Sequence, residues 1–339
     1  IHFYDDKNHT PGLLHDSIGD YKPRDIDVVA AFDIDRRKVG KDIAEAIFAK
    51  PNNTRIFQPT IPSYGVKVLR GPTLDGYPKH FNEYDENIRP IESDEIAIDV
   101  RKILEQTRAD ILINYLPVGS QDATEYYAQA CIDAGVSFVN AIPIFICSTE
   151  EWARKFAEKG LVCAGDDIKS QIGATIVHRI LTKLFESRGV KLTRTYQLNI
   201  GGNTDFLNMT ERSRLVNKRV SKTEAVQSQL TVPLNKVNIH IGPSDFVEWL
   251  KDNKVCHIRM EGKGFGDIPI ELDLKLSVED SPNSAGVMID VIRVCKLALD
   301  QGLKGYLGEI SAFAFKHPAH QLSDDDAIKA LEHFIEKYS

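Results

Sequence analysis

From Ile26 to Ala164, short apolar runs alternate with segments of helical periodicity, and this alternation constrains the fold more than any other feature. Ile26–Phe32, Val66–Leu69, Ile111–Tyr115, Val136–Val139 and Leu161–Ala164 read as strands. Lys38–Ala49, Asp94–Gln106, Gln121–Ala134 and Glu150–Lys159 read as the helices between them. Parallel strands need such crossovers, and the helices then cover both faces of the sheet. Past Gly165 the texture changes. A helix is expected over Ile172–Phe185, then strands at Thr193–Ile200, 236–241, 254–262 and 268–278. The last alternates with period two, as a sheet with one wet face does. Links without helices predict antiparallel pairing there. Helices return at Ser284–Asp300 and Ala327–Lys337.

One stretch is more specific. In "VVAAFDIDRRKVGKDIAEAIF", Val28 to Phe48, an apolar strand runs into Asp33 and an amphipathic helix follows. In dinucleotide-binding units an acidic residue at such a strand tip accepts hydrogen bonds from the adenosine ribose. An aspartate there repels a 2′-phosphate, although Arg36 and Arg37 follow closely and could accommodate one. A phosphate-cradling glycine-rich loop is expected roughly 20 residues upstream, but that region reads "IHFYDDKNHTPGLLHDSIGDYKPRDID" and has none. The polar stretch Arg70–Ser93 is long for the inside of a domain, which marks it as functional or mobile.

Bulk properties exclude several classes. At 339 residues, 42% hydrophobic and 27% charged, the chain reads as a globular protein of two domains, or one with a large insertion. A net charge of -7 argues against a nucleic-acid partner. No apolar run approaches the roughly 20 residues that span a bilayer, so no membrane association is expected. The first residues carry neither a basic n-region nor an apolar h-region, so no signal peptide is expected. Cysteines 131, 147, 163, 256 and 295 are widely spaced with no Cys-x-x-Cys pair. That disfavours structural zinc and disulfides, and fits the cytoplasm.

Three polar clusters precede predicted helices. Ser170 in "AGDDIKSQIGATI" and Ser281 in "VEDSPNSAGVMID" read as N-caps, the latter with proline at the first helical position. Ser221 and Glu224 in "NKRVSKTEAV" have capping-box spacing. Lys218, Arg219 and Lys222 crowd that predicted helix start, which already carries partial positive charge. Either the turn is solvated, or an anion such as a phosphate binds there. "NIGGNTDF" (199–206) and "LPVGS" (116–120) each follow a strand, where a turn or a ligand contact is possible. Lys254 and Lys316 flank apolar segments, as surface lysines commonly do. His317 and His320 read as surface histidines or cation ligands.

Taken together, "AAFDIDRRKVG", "RGPTLDG", "YLPVGS", "FVNAIPIF", "GDDIKSQIGATI", "LNIGGNTDFLNM", "SKTEAV", "HIGPSDFVEWL", "EDSPNSAGVMIDVIR" and "FKHP" stand in the order found in one family. Through them the chain, from about Pro11 onward, resembles myo-inositol-1-phosphate synthase (inositol-3-phosphate synthase) in its bacterial and archaeal form. The resemblance implies an α/β fold. A Rossmann-type NAD-binding domain (1–198 plus 283–339) would be interrupted by a mainly antiparallel α+β sheet domain (199–282) for catalysis and tetramerisation. It implies conversion of D-glucose 6-phosphate to 1D-myo-inositol 3-phosphate in a homotetramer. C5 is oxidised with bound NAD as hydride acceptor, enolisation and an intramolecular aldol attack close the ring, and the hydride is returned. A divalent cation is left open.

The residues carried over for catalysis are Lys218, Lys222, Lys254 and Lys316, which stabilise oxyanions, and Asp167 and Asp280, which orient lysines and relay protons. Those carried over for the cofactor are Asp33, Asn114, Leu116, Pro117, Asn140, Pro143, Asp167, Ser170, Asn203, Asp205, Asp280 and Ser281. Members of the family carry a first strand and a glycine-rich loop ahead of the position of Ile1. The sequence is therefore expected to lack about one βα unit of roughly 25–30 residues. On that reading, residues 1–339 alone should be unstable and bind NAD weakly. Two other readings stand beside the synthase: an NAD(P)-dependent dehydrogenase of similar architecture, which would release NADH, and an inactive truncated remnant.

Overall fold

A computed structural model describes Ile1 and residues 11–339. β1 (Ala31–Asp33) leads to α1 (Ile43–Ala46) and β2 (Val68–Arg70), then to α2 (Val100–Thr107), β3 (Ile111–Asn114), α3 (Gln121–Ala134) and β4 (Ser137–Asn140). α4 (Glu150–Glu158), β5 (Val162–Gly165) and α5 (Ala174–Ser187) follow. Next come β6 (Lys191–Gly201), α6 (Thr204–Asn208), α7 (Val216–Gln227), β7 (Ile239–Phe246), β8 (Asn253–Lys263) and β9 (Pro269–Glu279). The chain closes with α8 (Asp280–Asp300), β10 (Gly305–Tyr306), α9 (Gly308–Ala314) and α10 (Asp324–Tyr338).

The strands make three sheets. β1 pairs with β2, and β10-β5-β4-β3 form a second sheet; every pairing in both is parallel. Side chains alternate across the second sheet. Val139 and Val162 join Val291, Phe315 and Leu331 beneath α8, α9 and α10. Phe138 and Leu112 pack with Leu104, Ile146 and Phe156 on the other face. Burial on both faces is what a parallel sheet with crossover helices requires.

The third sheet, ordered β7-β6-β8-β9, is mainly antiparallel but mixed. The expectation of antiparallel pairing holds for β6–β8 and β8–β9 and fails for β6–β7, which is parallel. The physical reason is the connection: α6 and α7 lie between β6 and β7 and supply the crossover that parallel strands need. Leu272, Leu274 and Leu276 of β9 turn inward onto Cys256, Ile258 and Met260. The limits at 198/199 and 282/283 fall inside β6 and the first turn of α8.

The helix expected over Lys38–Ala49 shrinks to four residues. Gly40 takes φ 83, and the Asp42 carboxylate accepts the Ala44 N–H at 2.9 Å, so the helix cannot start earlier. Asp99 caps α2 in the same way, trimming the helix expected from Asp94. Residues 70–93 are tethered: Arg37 donates to the carbonyls of Glu86 and Arg89, each at 2.7 Å. All five cysteines are free and buried. No helix of the described residues is long and apolar enough to cross a membrane.

Candidate active site

A cavity of about 1310 Å³ runs from β1 to the third sheet. It opens between β1 and β3, which share no pairing among the described residues. Roughly 300–1,000 Å³ serves an ordinary small-molecule site, so this one has room for more than one ligand.

Asp33 stands at its outer end, at the tip of β1. Its Oδ1 accepts the N–H groups of Ile34 (2.7 Å) and Asp35 (2.8 Å), and its Oδ2 accepts from Lys38 Nζ at 2.8 Å. Leu116, Pro117 and Pro143 line the path inward, where Ser170, Asn203, Asp205 and Ser281 border the inner end. Asn114 also reaches the lining, fixed by its amide N–H donated to Asn140 Oδ1 at 2.9 Å. Asn140 itself lies behind the wall. It is fully buried and donates to Asp166 Oδ1 at 2.7 Å, so it supports the site without facing it. In "LPVGS", Gly119 has φ 86, and a Cβ there would stand 2.7 Å from Arg214 Cβ, so only glycine fits this turn.

The inner end holds the charge. α7 presents Lys218 and Lys222, four apart and on one face. Lys254 comes from the start of β8 and Lys316 from the segment after α9, and all four lysines line the cavity. Lys218 Nζ pairs with Asp205 Oδ2 at 2.7 Å, Lys254 Nζ with Asp280 Oδ1 at 2.5 Å and Lys316 Nζ with Asp167 Oδ1 at 2.7 Å. Asp167, at φ 63, also accepts from Ser221 Oγ at 2.5 Å. Burial disfavours ionisation of Asp167, yet Lys316 and Lys218, with these hydrogen bonds, hold its carboxyl below the usual range. Asp280 is partly buried and likewise held low, chiefly by Lys254. Burial opposes the charge on Lys254, but Asp280 and Asp205 win and raise its pKa.

Lys222 is the exception. No carboxylate among the described residues lies within ion-pair reach of it. Burial first, then Lys218, Lys254 and Lys316, bring its pKa down to about 7. Four lysines thus face three carboxylates, and the site can bind an anion while keeping one amine able to be neutral.

All three capping expectations are corrected. α5 starts after Gly173, not at Ser170. α8 starts at Asp280, so Ser281 and Pro282 lie inside its first turn. α7 is entered from a 3-10 turn, Arg212–Leu215, which removes the free helix start and leaves Ser221 mid-helix, on Asp167. Lys254 and Lys316 are partly buried residues lining the cavity, not surface ones. His317 sits 3.0 Å from Glu224 and stacks on Phe145, and no group of three or more His, Cys, Asp or Glu among the described residues could hold a metal.

Sequence reasoning missed Gln197 and met Asn199 only as the start of the stretch 199–206; both line the cavity from β6. They are alternate positions of one strand, and a polar residue at every second site of a buried strand was the available signal. Gln197 donates to Asn199 Oδ1 at 3.2 Å and contacts His178 Nδ1 at 3.3 Å. Burial lowers the pKa of that histidine to about 4, so it is neutral.

The chain is similar to known proteins. Residues 173–281 match the family model of myo-inositol-1-phosphate synthase. Inositol-3-phosphate synthase of Mycolicibacterium smegmatis is 54% identical over 336 residues, covering 98% of this chain and 91% of that one. The enzyme of that name from Mycobacterium tuberculosis H37Rv is 52% identical over 331 residues, covering 98% and 89%. A crystal structure of a myo-inositol-1-phosphate synthase-related protein from Thermotoga maritima superposes with a TM-score of 0.74 over 92% of this chain and 87% of that one; at 24% identity the likeness is one of fold. Identity above one half across nearly all of both chains, with the family model seated on the segment that carries Lys218, Lys222, Lys254 and Asp280, places this chain in the inositol-3-phosphate synthase family of isomerases.

Proposed function

We propose that the protein isomerises D-glucose 6-phosphate to 1D-myo-inositol 3-phosphate with NAD as a bound, recycled cofactor. The observation that carries this is a single cavity with Asp33 at one end and four lysines interleaved with three carboxylates at the other. The residues present fit the ribose and the inner end of a dinucleotide. Asp33 would take the ribose, Leu116, Pro117 and Pro143 would flank it, and Ser170, Asn203, Asp205 and Ser281 would hold its inner end. When bound, NAD supplies the hydride acceptor for C5 and the donor that later restores it.

The chain's own groups supply the rest. Lys254 and Lys316, fixed by Asp280 and Asp167, stabilise the negative oxygen that forms at C5 and in the enolate. Lys218, held by Asp205, binds substrate phosphate or oxyanion. Lys222, which has no carboxylate partner among the described residues, accepts the C6 proton in its neutral form. Burial keeps these charges strong by limiting water. The division at 198/199 and 282/283 is part of this proposal, as is a cytoplasmic setting for a chain with five free thiols.

The test is direct. Purified protein incubated with glucose 6-phosphate and NAD should yield an inositol phosphate, seen by phosphorus NMR, without accumulation of NADH. Stoichiometric release of NADH would favour a dehydrogenase and refute the synthase reading.

Cofactor choice gives a second expected result: NAD should bind more tightly than NADP in parallel calorimetric titrations. Of the two arginines that could accept a 2′-phosphate, Arg37 is committed to Asp35 at 2.6 Å and to two backbone carbonyls. Arg36 is exposed and 3.6 Å from Glu86. Tighter binding of NADP would overturn the assignment at Asp33.

A homotetramer is also proposed. β9 exposes one face, and Trp249, Phe265 and Ile268 stand 79%, 101% and 65% exposed in the third-sheet region, more apolar surface than an isolated copy usually leaves wet. Light scattering at micromolar concentration should return four chains. A stable monomer would contradict it.

A further inference from the structure

Asp252 does not line the cavity and, among the described residues, pairs with no lysine side chain, yet it is 1% exposed and surrounded by donors. It lies in the turn just before β8. Its Oδ1 accepts from Asn203 Nδ2 at 3.1 Å and from Ser281 Oγ at 2.8 Å, and its Oδ2 accepts the Ser281 N–H at 3.0 Å. Its backbone carbonyl accepts the Asp280 N–H at 2.9 Å. No lysine or arginine of the described residues pairs with it. Burial, against those hydrogen bonds, raises its pKa.

This carboxylate ties together the elements that carry two of the three lysine partners. Asp280 opens α8 and holds Lys254, which stands only two residues beyond Asp252 on β8. Asn203 caps α6 by accepting the Phe206 N–H at 3.1 Å, and α6 carries Asp205, the partner of Lys218. Gly202 is what allows the approach. A Cβ there would stand 2.4 Å from the Val247 carbonyl oxygen and 2.5 Å from the Lys251 nitrogen, so only glycine lets the two turns meet.

We propose that Asp252 is a positioning residue for the isomerisation. By fixing the first turn of α8 and the cap of α6, it sets Asp280 and Asp205 in register with Lys254 and Lys218. The inference rests on the synthase reading. Its effect runs mainly through Asp280, which its backbone carbonyl holds directly and which its side chain holds through the next residue, Ser281. A buried carboxylate with no cation of its own would otherwise be hard to explain: an apolar residue would fill the turn without the desolvation penalty.

A double-mutant cycle tests this. Asp252→Asn keeps the shape but turns one acceptor into a donor facing the Ser281 N–H. In the wild-type background it should lower kcat roughly 10²-fold, the loss expected from about 1 Å of misplacement, with KM changed less than about threefold. In an Asp280→Asn background the same substitution should change kcat by less than about threefold, because the group it positions has already been altered. A purely structural residue would give equal losses in both backgrounds, and that additivity would overturn the proposal. If Asp252→Asn fails to fold, Asp252→Glu, which keeps the charge and lengthens the arm, enters the same cycle with the same criterion. Absence of isomerase activity in the wild-type protein would instead refute the synthase reading, so the two failures are distinguishable.

Discussion

Replacing Lys222 with methionine is expected to lower turnover by roughly 10²–10⁴-fold, the contribution of one positioned proton-transfer group, while raising the melting temperature. The two effects have one cause. In the folded protein Lys222 is buried among three other lysines, and its pKa falls to about 7. Between that value and the ordinary lysine range the unfolded chain binds the proton and the folded one releases it. The amine therefore destabilises the fold at neutral pH, and stability rises as pH climbs through this window. Methionine removes the burden at similar volume. The same substitution should erase a limb near pH 7 from the profile of kcat/KM, which rises as Lys222 loses its proton. Substrate phosphate also titrates, near about 6 for a monoester, but that limb will persist in the variant. A profile unchanged by the substitution would remove Lys222 from proton transfer.

The second large effect belongs to Lys254. Lys254→Ala should reduce kcat by roughly 10²–10³-fold, or about 2.7–4 kcal/mol, the usual consequence of deleting one oxyanion donor. The fold should survive, because Asp280 would still face Lys218 and Lys316, which already lower its pKa. Circular dichroism separates the two quantities. Near wild-type turnover in a folded variant would show that the developing negative charge lies elsewhere.

The βα alternation of the first half located β3, β4, β5 and α3 to within a residue or two, because both faces of that sheet are buried and the apolar runs are unbroken. Asp33 was found at a strand tip because an unbroken apolar run, Val28–Phe32, leads into it, although β1 belongs to another sheet and is only partly buried. The lysines were legible as a basic cluster at 218–222, but their meaning was not. Helical spacing puts Lys218 and Lys222 on one face, whereas the arrival of Lys254 and Lys316 beside them is a matter of tertiary packing that no local pattern contains. The capping box at Ser221 misled because a serine followed by glutamate at i+3 is equally satisfied in mid-helix, where this hydroxyl serves Asp167. Asp252 was invisible since its partners are 49 and 29 residues away. The parallel β6–β7 pair could have been anticipated, given that a helix had already been read between those strands.

The pairing of Lys316 with Asp167 spans 149 residues of chain. Its consequence concerns synthesis. A nascent chain folds from its N-terminus as it emerges, and while residues beyond 315 are still being made, the β5 end and α7 lack the strand-like segment that closes them. Asp167 then keeps Ser221 and Lys218 but lacks Lys316, and the proposed site stays open until that segment is made. The segment that completes the proposed site is thus sealed late, and hydrogen exchange should find the amides of Lys169 and Lys316, which bond to the Ala314 and Asp167 carbonyls, protected only once that segment is in place. A site assembled from such distant contacts acts as a gauge of finished folding: a ribosome-released chain ending before Lys316 would carry most of the lysines but have no competence to use them.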